Sequence, residues 1–277
     1  MPFVTVGTEN DTPIEIHYDD KGAGRPIVLL QGFPLTGDEW DEQRIPLLEA
    51  GYRVIALDRR GFGRSSRPLG GYDYDTFADD VDAVLRHLDL RDVTLLGFSM
   101  GTADIARYVG RHGTERIHSI AMLATFGPQL AARESDPVGF GPEVFEGIKA
   151  GIIADRAQYL ENYFLQHYVA DQNLGVRVSE AKLRRDFISA STADGWAVLH
   201  CVDAWQEGFH DDLPKIDVPL LVMQGTEDRN IPIDFGARRI KDFVPSAEVH
   251  EIVGGPHGIG VTHTAEVNPR LLEFIGE

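Results

Sequence analysis

Val93-Thr94-Leu95-Leu96-Gly97-Phe98-Ser99-Met100-Gly101 runs from an apolar strand pattern into a helical one, with a serine between two glycines at the junction. The residues up to Gly97 favour a strand, and Met100 to Arg111 place apolar residues at helical spacing, so the spacing predicts strand, sharp turn and helix. On such a turn the glycines avoid clashes with the neighbouring strand and helix. The serine takes a strained backbone conformation and its Oγ points out at the sheet edge. The helix start brings backbone N–H groups and a positive dipole end to the same point. A bare G-x-S-x-G also occurs by chance as a small-residue turn; the strand before it and the helix after it make it a nucleophile elbow.

The same rhythm extends outward. Pro26 to Leu30 and Arg53 to Leu57 read as buried strands, each followed by a helical pattern, at Glu39 to Ala50 and at Tyr74 to Leu90. The clearest stripe is Ala78, Val81, Val84, Leu85 and Leu88. Ile117 to Leu123, Val218 to Met223 and Glu248 to Val253 add strands, and Ala265 to Ile275 a last helix. Val4 to Val6 and Ile14 to His17 alternate in polarity and predict an antiparallel edge pair. The expectation is an α/β fold with a mostly parallel, eight-stranded sheet covered by helices on both faces. Residues 126–212 interrupt the rhythm: they hold no convincing buried strand but helical patterns at Pro142 to Gly151, Arg156 to Tyr168 and Ser179 to Ser189. They read as a helical cap inserted into a core of residues 1–125 and 213–277, above the C-terminal edge of the sheet.

A serine hydroxyl is a weak nucleophile at neutral pH, so it needs a base, and the base an orienting carboxylate. On an elbow of this kind the acid and then the histidine follow the serine along the chain. The strand ending at Met223 runs into Gln224-Gly225-Thr226-Glu227-Asp228, where Asp228 is the favoured acid and Glu227 the fallback. His257, in Gly254-Gly255-Pro256-His257-Gly258 after the last strand, is the best base among ten histidines. Acyl transfer puts negative charge on oxygen, and two backbone N–H groups should receive it: Met100, after the serine, and Phe33, in the loop Gln31-Gly32-Phe33-Pro34. Pro34 biases Phe33 toward an extended backbone, presetting that amide.

Composition narrows the classes. The chain has 277 residues with 44 acidic and 26 basic side chains, a net charge of −18. Nucleic acid and anionic lipid need clustered Lys and Arg, so neither is an expected partner. Cys201 is the only cysteine, which excludes an intrachain disulfide and a cysteine-rich metal site. With no secretory leader pattern at the start and no apolar run of membrane-spanning length, the expected location is the cytoplasm. Asp58 to Ser65 resembles a phosphate loop, but neither P-loop nor dinucleotide spacing holds, and it reads as a structural turn beside the nucleophile. The other histidines show no metal-ligand spacing, and no metal is expected. Aromatic residues of the inserted segment are core more often than pocket; Phe126, Phe164, Trp196 and Trp205 are the candidates for lining an apolar acyl or aromatic site.

Taken together, these motifs resemble the α/β-hydrolase fold, and specifically the cofactor-free (non-haem) bacterial haloperoxidases, the bromoperoxidase or chloroperoxidase-type esterases and perhydrolases. The likeness covers nearly the whole chain, through Pro2-Phe3-Val4-Thr5, Gly32-Phe33-Pro34-Leu35, Gly51 to Ile55, Asp58 to Gly63, the elbow, Arg107-Tyr108 and Pro256-His257-Gly258. It implies Ser99 as nucleophile, Asp228 as acid, His257 as base, and the amides of Phe33 and Met100 as oxyanion hole, in agreement with the reading from residues. It also implies hydrolysis of small carboxylic esters without a cofactor, peracid formation from a carboxylate and hydrogen peroxide, halide oxidation by that peracid, and a homo-oligomer (dimer, trimer or hexamer). Gln31 departs from the histidine that relatives carry before the loop glycine; glutamine both donates and accepts, so it can serve the same supporting role. A lactonase or amidase on the same triad, and a non-catalytic binding or scaffold protein of the same fold, are the alternatives. Ser99 disfavours a haloalkane dehalogenase, which needs a carboxylate there, and Cys201 lies away from any elbow, against a thiol hydrolase.

Overall fold

The computed structural model describes residues 2–276. β1 (Phe3–Glu9) and β2 (Thr12–Gly22) form the expected antiparallel pair. Both are longer than their alternating cores, because β2 pairs with β1 through its first half and with β4 (Arg53–Leu57) through its second. β3 (Pro26–Leu30), β5 (Val93–Phe98), β6 (Ile117–Leu123), β7 (Leu220–Gly225) and β8 (Glu248–Ile252) complete the sheet. Its order is β1-β2-β4-β3-β5-β6-β7-β8, and only β2 runs against the rest. The last strands sit close to their expected places; β7 is displaced by two residues, since Val218 and Pro219 precede its ladder.

Central strands buried on both faces explain the continuous Val, Ile and Leu runs. Val28, Leu30, Ile55, Leu95 and Met122 face one layer, with α2 (Tyr74–His87) and α3 (Met100–His112). Ile27, Leu29, Val54, Leu96 and Leu221 face the other, where α1 (Asp41–Glu49) supplies Leu47 and the C-terminal helix Thr264–Gly276 supplies Val267, Leu271 and Ile275.

Between β6 and β7 the chain is helical: α4 (Pro142–His167), α5 (Ala170–Asn173), α6 (Glu180–Ser191) and α7 (Gly195–Ala204). The two expected helices at Pro142 and Arg156 are one element kinked at Asp155, which leaves helical geometry while its Oδ1 accepts the Gln158 amide at 3.0 Å. α7 has no counterpart among the expected helices: it is apolar nearly all round and offers no stripe, although Asp194 caps it. α8 (Ala237–Phe243) is short, with only Ala237 and Ile240 buried, α9 (Ile259–Thr262) is a single turn, and α10 is the C-terminal helix already described. Among the described residues no helix is long and apolar enough to cross a membrane.

The topology places the site. After β3 the chain turns to β4 on one side, then returns to β5 on the other, so the carboxyl ends of β3 and β5 border a switch point where crevices form in open α/β sheets. Leu30 pairs with Gly97 there, and a Cβ on Gly101 would collide with the Leu30 carbonyl oxygen, while one on Gly97 would lie 2.7 Å from the Gly101 carbonyl oxygen. Because both obstructions are backbone, Gly101→Ala should destabilise the protein by about 1–3 kcal/mol. Urea unfolding checks this; an unchanged midpoint would contradict the packing described.

Candidate active site

β5 ends in Ser99, whose backbone is forced to φ 51° and ψ −117°, and α3 begins at the next residue. A non-glycine residue at positive φ is strained, and such strain persists only where the surroundings hold it. Here the Ser99 amide donates to the Leu123 carbonyl at 2.9 Å, and its carbonyl accepts from the Thr102 hydroxyl at 2.6 Å. The serine hydroxyl lies 2.8 Å from His257 Nε2, and His257 Nδ1 lies 2.7 Å from Asp228 Oδ2. The structure thus brings Ser99, His257 and Asp228 into one chain of hydrogen bonds from loops after β5, β8 and β7. Asp228 is well provided: Oδ1 accepts the amides of Asn230 (2.9 Å) and Ile231 (2.8 Å), and Oδ2 also accepts from Gln224 Nε2 at 3.2 Å. Glu227, the fallback acid, is exposed, and the partner of His257 Nδ1 is Asp228.

Phe33 and Met100 are buried, and no acceptor for either amide occurs among the described residues. Buried amides without partners are rare, and a pair of them beside a serine at a helix start forms a ready receptor for an anion. The loop around Phe33 is braced on several sides. Arg59 donates to the Gln31 carbonyl at 2.9 Å and is paired with the buried Asp104 on α3. The Gln31 side chain spans to the end of β4; with its amide turned so that the nitrogen faces the Leu57 carbonyl, it donates there at 2.8 Å and accepts the Arg59 amide at 2.5 Å. Gln31 and Gly32 are thus tied to neighbouring elements, Pro34 follows Phe33 in the same loop, and the Asp58 to Ser65 turn supplies Arg59 as the brace. Tyr163 on α4 donates its hydroxyl to the Phe33 carbonyl at 2.8 Å.

A cavity of about 320 Å³ opens onto Ser99, His257 and Phe33. Phe126 and Trp205 line it, with Trp205 meeting the Phe33 ring edge-on at 4.6 Å between centroids. Phe140 and Phe145 line it too. Phe164 does not: it is fully buried in a separate cluster with Leu160, Tyr168 and Val178. Trp196 also lies outside the cavity. It is 44% exposed, lies against His200 with the ring centroids 4.1 Å apart and the planes tilted by 51°, and donates Nε1 to the Leu69 carbonyl at 2.7 Å, because the second residue of α7 faces outward. Sequence reasoning missed Tyr163 and Asn230. Tyr163 sits in an aromatic run that reads as core, and Asn230 in a turn with no periodic signal.

Burial dominates the electrostatics. It pushes the Cys201 thiol up to about 12 and holds the His167 imidazole, 5.1 Å from the His257 ring, well below its usual value. Cys201 is thus a neutral thiol at physiological pH, and a thiolate is what a nucleophile requires.

A family model described as the alpha/beta hydrolase fold matches residues 25–264, and the chain belongs to that family. Within it, the chain is 39% identical over 267 residues to a non-heme chloroperoxidase of Kitasatospora aureofaciens, covering 95% of this chain and 97% of that one. It is 30% identical to a bifunctional esterase/perhydrolase of Acinetobacter calcoaceticus, covering 95% and 96%. A crystal structure of a bromoperoxidase from Bacillus anthracis superposes with a TM-score of 0.95 at 38% identity, covering 99% of each chain.

Two outcomes follow from the site's construction. Asp104→Ala leaves the Arg59 charge buried and unpaired, so it should cost about 3–5 kcal/mol in chemical unfolding; a loss below 1 kcal/mol would contradict the bracing role. Cys201 should resist a thiol reagent in the native protein and react fully in urea; rapid native labelling would show that it is not sealed in.

Proposed function

We propose that the protein is a serine hydrolase of small carboxylic esters that works through an acyl-enzyme, with cofactor-free perhydrolase and haloperoxidase activity. The observation that carries this reading is the unbroken path from Ser99 Oγ through His257 to Asp228, at 2.8 and 2.7 Å. In this reading Ser99 is the nucleophile. As its oxygen attacks the ester carbonyl, His257 Nε2 takes the hydroxyl proton and Asp228 stabilises the resulting imidazolium. The carbonyl oxygen becomes an anion received by the amides of Phe33 and Met100, each contributing on the order of 2.7–4 kcal/mol to the transition state. Collapse expels the alcohol, which carries away the proton from His257, and leaves the acyl group on Ser99.

Water then attacks the acyl-enzyme and releases the acid. Hydrogen peroxide can take the place of water, releasing a peracid; acylation by a free carboxylate, with loss of water, feeds the same step. The peracid transfers its outer oxygen to bromide in solution, returning the carboxylate and forming hypobromous acid. The names of the relatives support both halves, one a chloroperoxidase and the other an esterase/perhydrolase. Residues 126–212 serve as the cap, with Phe126, Tyr163 and Trp205 shaping the acyl site. The likeness to the haloperoxidases further supports a homo-oligomer, and the single buried cysteine a reducing cytoplasm.

The test follows p-nitrophenyl acetate hydrolysis alongside bromination of a dye with acetate, peroxide and bromide. Ser99→Ala should lower both activities together, on the order of 10⁴-fold or more. Bromination that survives Ser99→Ala would separate the two chemistries, and a folded wild type inactive on esters of several acyl lengths would overturn the reading.

A further inference from the structure

The loop that presents the Phe33 amide consists of three successive peptide groups, and their partners differ in an instructive way. In the Gln31–Gly32 peptide both ends are held: Arg59 donates to the Gln31 carbonyl at 2.9 Å, and the Gly32 amide donates to Glu39 Oε1 at 2.7 Å. In the Phe33–Pro34 peptide the carbonyl accepts from the Tyr163 hydroxyl at 2.8 Å. The Gly32–Phe33 peptide lies between them. Its carbonyl accepts the Leu35 amide at 3.0 Å, and its N–H is the one without an acceptor. The direction of that free N–H is set by the planes of its two neighbours, because a peptide group turns only about the dihedrals that join it to them.

We propose that Glu39 is a positioning residue for the hydrolytic reaction: by accepting the Gly32 amide it fixes the plane of the preceding peptide, so that the Phe33 amide faces the developing oxyanion. This rests on the hydrolase reading above. Glu39 touches no substrate, and it acts through Gly32.

The surroundings suit that task. Glu39 as a whole is half-buried, but its Oε2 is shut off from solvent and has no partner. Glu39 borders a small, mostly apolar chamber behind the elbow, walled also by Trp40, Gln43, Phe98, His167 and Lys182. Trp40 Nε1 and His167 Nδ1 are also buried and unpartnered there. Burial holds the Glu39 carboxyl well above the usual carboxylate range, against the opposing pull of the Gly32 amide, Lys182 and Arg59 and with Asp186 adding to the rise. Burial thus disfavours a full negative charge on this carboxyl beside the place where the oxyanion forms. An ionised carboxylate there would oppose the reaction, since charges in a water-poor site interact strongly.

The experiment compares wild type, Glu39→Leu, Glu39→Gln and Ser99→Ala on p-nitrophenyl acetate, with thermal melts for each. Glu39→Leu removes the acceptor but keeps bulk, and should lower kcat on the order of 10- to 100-fold with KM within about twofold, as expected for a loop displaced by a fraction of an ångström. Glu39→Gln keeps an amide oxygen for Gly32 and should restore kcat to within about threefold of wild type. A boronic acid that mimics the tetrahedral adduct should lose affinity for Glu39→Leu in parallel with kcat, while the acetate product keeps its affinity. Should Glu39→Leu not fold, Glu39→Met carries the same comparison. Unchanged kcat in the acceptor-less variant overturns the proposal, as does a loss that Gln fails to restore. A wild type that does not hydrolyse the ester would instead fail the hydrolase reading itself, which keeps the two failures apart.

Discussion

Everything at this site depends on one backbone constraint: Ser99 held at positive φ between the end of β5 and the start of α3. The conformation is unfavourable for a side-chain-bearing residue, and the sheet imposes it. Leu30 pairs with Gly97, the Ser99 amide is tied to β6 through Leu123, and α3 starts so close to β3 that position 101 admits no side chain. Those contacts lift the serine hydroxyl out of the sheet and turn the Met100 amide toward the same point. Were the elbow to relax, hydroxyl and amide would separate, and no downstream contact could restore them.

A second layer keeps polar groups fixed in a place that excludes water. Arg59 and Asp104 are both nearly sealed and form an ion pair, and the Arg59 guanidinium uses a remaining donor on the Gln31 carbonyl. A buried ion pair adds little net stability against an apolar replacement, so its worth here is geometric. The same economy recurs at Asp228, where four donors converge on one carboxylate, leaving it no freedom to turn away from His257. Such preorganisation is what electrostatic stabilisation of a transition state requires, because nothing has to reorient when charge develops.

Much of this was legible in the sequence, for identifiable reasons. Period-two and continuous apolar runs marked the strands, since burial on both faces leaves no room for polar residues. The serine, acid and histidine each follow a strand within a few residues, which ties chemistry to topology. Asp228 against Glu227 was a choice between neighbours that only the turn decides: Asp228 folds back onto the amides of Asn230 and Ile231, and Glu227 faces solvent. The cavity walls were poorly legible. Phe145 and Phe164 look alike in sequence, yet Phe145 borders the cavity and Phe164 packs behind it, since on a helix of 3.6 residues per turn they face about 100° apart. Arg59 and Tyr163 act through the backbone of a loop far away in sequence, and Glu39 through Gly32 seven residues before it; no periodic pattern encodes such contacts.

The central claim is that the acyl group passes through Ser99. Wild-type protein mixed with an activated acyl ester and quenched in acid within the first turnover should carry one acyl group, mapped by peptide mass spectrometry to the fragment containing Ser99, and Ser99→Ala should carry none. An acyl group on another residue, or turnover of the ester with no acylated protein in any quenched sample, would contradict the account.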